Sequence, residues 1–159
     1  MKEEGKRSRP VRITVRNQQR MVRIDSPALQ NFSVRALDAC LKVPARKTEV
    51  LSQLTEVIVA IVSDRRIAAL HRRFLNERGP TDVITFQHGE IVISAETARR
   101  QAGTFRTSVE RELRLYIVHG LLHLRGFDDK TAAGAAEMKR IQEKLVAKVD
   151  RALRRSMPR

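Results

Sequence analysis

The first regular pattern in the chain lies at residues 11–15, where valine and isoleucine alternate with arginine and threonine. A period of two predicts a half-buried strand, which we place at the edge of a sheet. Residues 56–62 are almost wholly apolar and rich in β-branched side chains, as is typical of a central strand. Two shorter strands, 83–86 and 90–94, are joined only by 87–89, and this short link predicts a tight hairpin.

Apolar residues spaced three and four apart predict five helices around these strands. The predicted spans run from Ser26 to about Val43, from a cap at Asp64 through Phe74, from a cap at Ser94 to about Gln101 with Gly103 as the stop, from Thr107 or Ser108 to Gly126, and through Met138 to about Arg155. This order predicts an α+β fold, in which a small mixed sheet of about four strands is packed with about five helices. The fourth helix would be central and would carry a pair of histidines.

A length of 159 residues suits one domain. We expect residues 1–9 to form a disordered basic tail and residues 10–155 to form a single domain. The single cysteine, Cys40, excludes an internal disulfide and fits a reducing compartment. No apolar stretch approaches the roughly 20 residues of a membrane span, and the N-terminus lacks the apolar core of a signal peptide. We therefore expect a cytoplasmic protein.

Lysine and arginine number 32 against 18 acidic residues, for a formal charge of +14. Such an excess favours a polyanionic partner, nucleic acid first, although a general basic bias without a partner would give a similar figure. Tryptophan is absent and one tyrosine is present, so we expect nucleic-acid binding dominated by the sugar-phosphate backbone, with base stacking a minor contribution. The candidate phosphate contacts, which could equally form a solvated face, are Arg65, Arg66, Arg72, Arg73, Arg99 and Arg100.

His119 and His123 lie four residues apart in an almost unbroken apolar run, so a helix would project both imidazoles from one face. Either histidine alone is more simply a core residue bonded to a backbone carbonyl, but the pair has the spacing of a metal chelate. Gly126 is expected to end the helix and turn the chain back, bringing Asp128 or Asp129 to the histidines. Three protein ligands leave a fourth position open, as is typical of catalytic zinc.

The residue after the first histidine argues against a protease. The metalloprotease pattern His-Glu-x-x-His places its general base there, and this chain has Gly120 instead. A hydrolase for a peptide or a small substrate would also leave the charge of +14 unexplained. His88 is the next candidate ligand if neither aspartate completes the site.

Three short segments carry a family resemblance. From His119 the chain reads His-Gly-Leu-Leu-His-Leu-Arg-Gly-Phe-Asp-Asp, from Pro80 it reads Pro-Thr-Asp-Val-Ile-Thr-Phe, and from Gly89 it reads Gly-Glu-Ile-Val-Ile-Ser. These segments resemble His-Gly-x-Leu-His-Leu-x-Gly-Tyr-Asp-His, Pro-Thr-Asp-Val-Leu-Ser-Phe and Gly-Asp-Ile-x-Ile-Ser of the YbeY family. That family consists of bacterial rRNA maturation factors that are zinc-dependent single-strand endoribonucleases. Order and spacing agree over about residues 56–150.

The resemblance implies that residues 10–155 are a metal-dependent, hydrolase-like domain with one zinc ion held by His119, His123 and Asp129. It implies single-stranded rRNA as the substrate. It implies a role at the 3′ end of small-subunit rRNA and in ribosome assembly or quality control. The ribosome or its small subunit would be the partner. We expect a monomer with no membrane association.

Three positions depart from the family pattern. Asp129 replaces the family's third histidine, Leu75 stands where the family carries an arginine, and the link at 87–89 is shorter. Two histidines and one carboxylate suit zinc but also other divalent metals. The missing arginine is held to be important for RNA cleavage. The alternative function is therefore an RNA-binding ribosome-assembly factor with a structural metal and weak or lost nuclease activity.

Overall fold

The computed structural model describes residues 9–158 and contains four strands and five α-helices, with one 3₁₀ turn at Leu51–Gln53. The predicted tail therefore lies outside the described residues except for Arg9. None of the described helices is both long enough and apolar enough to cross a membrane. In chain order the elements are β1 (Arg12–Asn17), α1 (Ser26–Leu41), β2 (Glu56–Val62), α2 (Asp64–Leu75), β3 (Val83–Phe86), β4 (Glu90–Ser94), α3 (Ala95–Phe105), α4 (Val109–Leu124) and α5 (Ala132–Ser156).

The four strands form one mixed sheet in the order β1-β2-β4-β3. β1 and β4 both run parallel to β2, while β3 and β4 form the antiparallel hairpin. The predictions of an edge strand at β1, a central strand at β2 and a tight hairpin are confirmed, as is the α+β class. β3 lies at the other edge of the sheet, so one of its sides is unpaired within the sheet.

Helices cover both faces of the sheet because β2 and β4 are apolar on both sides. On one face, residues of α1, α3, α4 and α5 pack on β2 and β4 in the main core. On the other face, Ile67 and Leu70 of α2 pack against Ala60, Val62 and Ile84. α4 lies deepest, with ten buried positions along its 16 residues. The centre of the fold is therefore the helix that carries the two histidines.

Gly120 lets α4 approach the sheet. A β-carbon at this position would lie 2.7 Å from the Ile91 side chain on β4, closer than packed atoms allow. The missing side chain is therefore a packing requirement. A glutamate at this position would not fit without displacing the buried Ile91 side chain, which agrees with the sequence argument against a protease.

Two predicted helix boundaries were wrong in detail. Asp64 does not cap α2, because the Ser63 side chain accepts the hydrogen bond from the Arg66 N–H. Gly103 does not stop α3, which continues to Phe105 and ends at Arg106 in the left-handed conformation. A single glycine costs a helix only about 1 kcal/mol, and the packing of α3 on α4 is sufficient to carry the helix past it.

The C-terminus of α4 is fixed by Gly126 and Arg125. Gly126 has a φ of +99°, which places it in the region that favours glycine and ends the helix as predicted. The Arg125 guanidinium donates to the Leu41 and Val43 carbonyls and to Glu49. Burial raises the pKa of Glu49, but hydrogen bonds from Ser52 and Arg125 outweigh this and lower it overall. These contacts hold the loop after α4 in place.

Candidate metal centre

His119 and His123 lie one turn apart on α4, and their side chains converge. Their rings meet at 84° with centroids 4.6 Å apart. The two Nε2 atoms are 3.0 Å apart. Because the helix is rigid and buried, this convergence is set by the four-residue spacing and by the packing of α4. Two ring nitrogens therefore point at one place.

The other ring nitrogen of each histidine already has a partner. His123 Nδ1 lies 3.0 Å from the Phe127 carbonyl oxygen, which can only accept, so Nδ1 carries the proton. His119 Nδ1 lies 3.1 Å from Gln142 Oε1 on α5, in the same kind of contact. Each Nε2 is then left with a lone pair, which is the arrangement found in metal-binding histidines.

Asp129 completes the cluster from the loop after Gly126. Its two carboxylate oxygens lie 3.5 Å from His119 Nε2 and 3.8 Å from His123 Nε2. Tetrahedral ligands at zinc bond lengths of about 2.0–2.2 Å are themselves about 3.3–3.6 Å apart. The observed separations bracket this range. His119, His123 and Asp129 could therefore bind a metal ion.

Asp128 has a different role, in the loop after α4. It is exposed, and its Oδ1 accepts a hydrogen bond from the Lys130 N–H. It therefore stabilises the loop, and the structure brings Asp129 rather than Asp128 to the histidines. His88 also lies apart from them, since its ring stacks on Phe86 and its Nε2 is 3.3 Å from Glu90.

The neutral form of His123 is favoured by its surroundings. Burial lowers the pKa of its imidazole, and the neighbouring His119 lowers it further, although Asp129, the Phe127 carbonyl and Asp128 act in the opposite direction. A metal ligand must be unprotonated at the coordinating nitrogen. The lowered pKa therefore favours the form of His123 that could bind a metal ion.

Two open depressions meet at this cluster. The first, which we call the charged cleft, has a volume of about 480 Å³ and borders His119 and Asp129. The second, the apolar groove, has a volume of about 520 Å³ and borders His119, His123 and Asp129. The charged cleft is lined further by Asp82, Phe105, Thr107, Arg111, Glu112, Leu115, Tyr116, Ala135, Met138, Lys139, Gln142 and Glu143. The apolar groove is lined further by Phe74, Leu75, Val83, Ile84, Thr85, Phe86, Gln87 and Lys130.

The six arginines proposed as phosphate contacts lie on α2 and α3, and among the described residues none of them lines either depression. All six are exposed: Arg65, Arg66, Arg72, Arg73, Arg99 and Arg100. Arg100 is engaged by Asp64 and Thr97, and Arg99 donates to the Met21 carbonyl. Arg73 packs over the Phe74 ring, beside the apolar groove. Their role in RNA binding stays a prediction.

Sequence reasoning missed Gln142, which orients His119, and the apolar groove beside the metal centre. Gln142 follows Met138 by four residues and precedes Leu145 by three, so it interrupts the apolar face of α5. A polar residue in such a face is the signal that could have indicated it. The groove had no signal in the sequence, because it forms only when the end of α2 meets β3.

The sequence of this chain is similar to that of known proteins. The family model for endoribonuclease YbeY matches residues 14–150. An endoribonuclease YbeY from Moorella thermoacetica is 40% identical over 113 residues, covering 59% of this chain and 72% of its own length. One from Frankia alni is 36% identical over 124 residues, covering 65% and 68%. One from Pelotomaculum thermopropionicum is 32% identical over 153 residues, covering 87% and 97%.

The fold has a solved counterpart. A solution structure of a Thermotoga maritima protein matches with a TM-score of 0.63 and 27% identity, over 89% of this chain and 91% of that one. The family model covers most of this chain and includes α4 and the loop that carries Asp129. The chain therefore belongs to the endoribonuclease YbeY family.

Proposed function

We propose that this protein is a metal-dependent endoribonuclease that cuts single-stranded RNA, with one zinc ion held by His119, His123 and Asp129. Within the cell it would act in the cytoplasm, in maturation of the 3′ end of small-subunit rRNA and in ribosome assembly or quality control. The ribosome or its small subunit would be its partner, and the protein would act as a monomer. Relatives of this chain are named endoribonucleases, which supports the reaction class.

The observation that carries this proposal is the position of the three candidate ligands. His119, His123 and Asp129 converge where two depressions open to solvent. A structural zinc site is closed by a fourth protein ligand, whereas a catalytic one keeps a position for water or substrate. Three ligands beside two open depressions therefore favour catalysis over a structural role.

The residues of this chain have separable tasks in such a reaction. Gln142 and the Phe127 carbonyl hold the two imidazoles so that both Nε2 atoms face the same point. When bound, a zinc ion would supply Lewis acidity at the scissile phosphate. Lys130, in the wall of the apolar groove, would contact a neighbouring phosphate. The formal charge of +14 favours RNA as the substrate over a neutral peptide.

A second candidate function rests on Leu75. This residue is 53% exposed and lines the apolar groove next to the candidate ligands, at the position where the family pattern has an arginine. An arginine there could stabilise charge developing on the phosphate, and leucine cannot. The alternative is therefore an RNA-binding assembly factor whose metal is structural and whose nuclease activity is weak or lost.

Cleavage of a labelled single-stranded RNA, with and without a chelator, tests the proposal. We expect cleavage that stops with chelator and returns when zinc is added, and a matched duplex should be cut poorly. His119→Ala is the control for a contaminating nuclease, since it removes one ligand and should abolish cleavage. Cleavage that persists in the chelator and in His119→Ala would refute the metal-dependent mechanism.

Leu75→Arg distinguishes the two candidates. If the wild-type protein binds metal and RNA but does not cut, the assembly-factor function is supported. Cleavage that appears or increases in Leu75→Arg would then show that the site is otherwise complete. Unchanged cleavage in a folded, metal-loaded variant would show that Leu75 does not limit the nuclease activity.

A further inference from the structure

The apolar groove begins at the candidate metal centre, because His119, His123 and Asp129 belong to both. Its volume of about 520 Å³ lies within the roughly 300–1,000 Å³ range of small-ligand sites. We propose that this groove binds one unpaired nucleobase of the RNA strand, stacked on Phe74, while the adjoining phosphate lies at the metal centre. This inference rests on the proposed function and adds a subsite to it.

Phe74 is placed as a stacking surface. It sits near the end of α2 and is 54% exposed, which is unusual for a large aromatic side chain. The Phe86 ring meets it edge-on at 5.3 Å and 81°, and the Arg73 guanidinium packs over it at 5.2 Å. The ring is thus held in position while about half of the residue stays open to solvent. Oriented, exposed aromatic rings of this kind are what single-strand binding proteins use to stack bases.

Leu75 extends the same apolar surface. It is 53% exposed and directly follows Phe74. Both residues line the groove together with Phe86 and Val83 of β3. Two adjacent exposed apolar side chains that continue into a groove indicate a binding surface more strongly than scattered ones do. The leucine also makes this wall apolar where an arginine would make it cationic.

Charge decides which of the two depressions suits an RNA strand. The charged cleft carries the carboxylates of Asp82, Glu112 and Glu143, and its Arg111 is paired with Glu143 at 2.6 Å. The apolar groove carries Lys130 and, among its lining residues in the described chain, has no carboxylate besides Asp129. With Asp129 included, the charged cleft has four carboxylates against the two cations Arg111 and Lys139, whereas the apolar groove has one carboxylate and one cation. Phosphates are therefore repelled less by the apolar groove than by the charged cleft.

Two cations flank the groove without being neutralised. Arg73 lies over Phe74 on one side and Lys130 lines the wall beside Asp129 on the other. Neither forms an ion pair with any residue in the range 9–158. A strand whose base enters the groove would place its phosphates near these two side chains. The charge pattern therefore complements a nucleotide better than an apolar ligand.

A polar atom in the groove wall lacks a partner. Thr85 lines the groove on β3, and its Oγ1 is buried without a hydrogen-bond partner among the described residues. A buried hydroxyl without a partner is destabilising. A nucleobase has donors and acceptors along its edge as well as an apolar face, so small shifts on binding could pair this hydroxyl. A purely apolar ligand could not.

The subsite would give the proposed nuclease its preference for single strands. A base inside a duplex is stacked and paired, and its face is not available to Phe74. Composition alone predicted that stacking would be a minor contribution, because the chain contains few aromatic residues. One aromatic side chain is sufficient to stack one unpaired base when it lies beside the reacting phosphate.

Affinity for a short single-stranded RNA carrying one 2-aminopurine tests the subsite, measured on the metal-loaded protein by stopped-flow fluorescence and anisotropy before any strand is cut. We expect Phe74→Ala to weaken binding roughly 5- to 100-fold, as loss of a stacking aromatic does, and to abolish the change in 2-aminopurine fluorescence. The matched control is Phe105→Ala, which removes an aromatic residue that is 64% exposed at the charged cleft. That variant should bind like wild type. Leu75→Ala should show a smaller loss in the same direction.

The base itself is tested with an abasic strand. Replacing the 2-aminopurine nucleotide by an abasic one should cost wild type the same factor as Phe74→Ala, and should cost Phe74→Ala nothing more. Equal behaviour of Phe74→Ala and Phe105→Ala would overturn the subsite, while the proposed nuclease would stand if wild type still cuts RNA. If wild type neither binds nor cuts RNA, the proposed function fails and the subsite with it.

A peptide strand is the other occupant that the groove could take, because β3 is an edge strand. An unstructured peptide of valine and threonine should not displace the RNA. Displacement by this peptide, together with equal affinity for abasic and intact RNA, would identify a peptide site and overturn the nucleobase subsite.

Discussion

Asp64 and Asp129 both face polar groups, but the groups differ in kind. Hydrogen-bond donors of the protein surround Asp64, whereas Asp129 faces ring nitrogens that can only accept. The Asp64 carboxylate accepts hydrogen bonds from Ser94, Thr97 and Arg100. These bonds join α2 to β4 and α3. Burial raises the pKa of Asp64, but the hydrogen bonds from Arg100, Ser94 and Thr97 outweigh it, so that the pKa is lowered overall. We call this group the Asp64 network.

The metal centre is built in the opposite way. Asp129 faces His119 and His123, whose Nε2 atoms carry lone pairs when Nδ1 is protonated, so the three groups offer acceptors and no donor to one another. Such a cluster is unfavourable without a cation or a proton to bind. The difference between the two regions separates a polar group that stabilises the fold from one that is held ready for a ligand.

The largest expected effect is on metal binding at Asp129. Asp129→Ala removes one of the three proposed ligands, so zinc affinity should fall by more than the roughly 10–100-fold that loss of an outer partner causes. Metal content after dialysis and competition with a chromophoric chelator measure this. Asp129→His should keep zinc, because imidazole is also a ligand.

Asp128→Ala is the matched control, since it changes the neighbouring carboxylate, whose oxygen bonds to the loop backbone, and should lower zinc affinity far less than Asp129→Ala does. Loss of metal from Asp128→Ala but not from Asp129→Ala would show that the third ligand is misassigned. If neither variant loses metal, another group completes the site, and His88 is the first to test.

The next effect in size concerns Gln142, which orients His119. Gln142→Leu keeps a similar volume and removes the acceptor for Nδ1, so zinc affinity should fall roughly 10–100-fold. Gln142→Glu keeps an acceptor and should retain affinity. Asp64→Asn is the control, because it disrupts the Asp64 network instead and should leave zinc affinity unchanged. Equal affinity in Gln142→Leu and wild type would show that the contact does not tune the metal centre.

The distance in sequence between partners explains which parts of both regions were predictable. The three ligand candidates fall within residues 119–129. Local spacing and a glycine stop indicated the two histidines and left Asp128 or Asp129 as the third group, and the family resemblance selected Asp129. Gln142 lies 23 residues beyond His119 on another helix. Its contact depends on how α5 packs, which no local pattern encodes. The metal-binding role of the group itself stays a prediction until metal is measured.

The error at Asp64 has the same origin. An aspartate before an amphipathic segment fits a helix cap, and the adjacent Ser63 fits as well, so residue type alone could not choose between them. The partners that engage Asp64 are 30 to 36 residues away. The strands were easier to predict, because a continuous apolar run such as that of β2 has few other ways to be buried. The sequence thus predicts elements and local clusters, while networks between elements need the tertiary structure.

A smaller effect is expected on stability when the Asp64 network is broken. Asp64→Asn removes the charge that Arg100 and two hydroxyls engage, and we expect the free energy of unfolding to fall by about 1–3 kcal/mol. Urea denaturation of the metal-free protein at neutral pH measures it. Asp38→Asn, at an exposed aspartate on α1, is the control and should change stability by less than about 0.5 kcal/mol. Similar losses in both variants would show that the network contributes nothing specific.

The smallest effect is the pH dependence of the difference in unfolding free energy between wild type and Asp64→Asn. Because the pKa of Asp64 is lower in the folded protein than the roughly 3.9 of an unfolded aspartate, the unfolded state takes up its proton first as pH falls. Stability from Asp64 is therefore fully present above the unfolded value and is lost as pH falls through the folded one. Asparagine does not titrate, so the gap in unfolding free energy between wild type and Asp64→Asn should narrow below about pH 4. Glu49 has a lowered pKa too, but it is present in both proteins and its contribution cancels. Urea titrations of both metal-free proteins between neutral pH and the acid limit of folding measure the gap, and a gap that widens toward acid would contradict the direction assigned to Asp64.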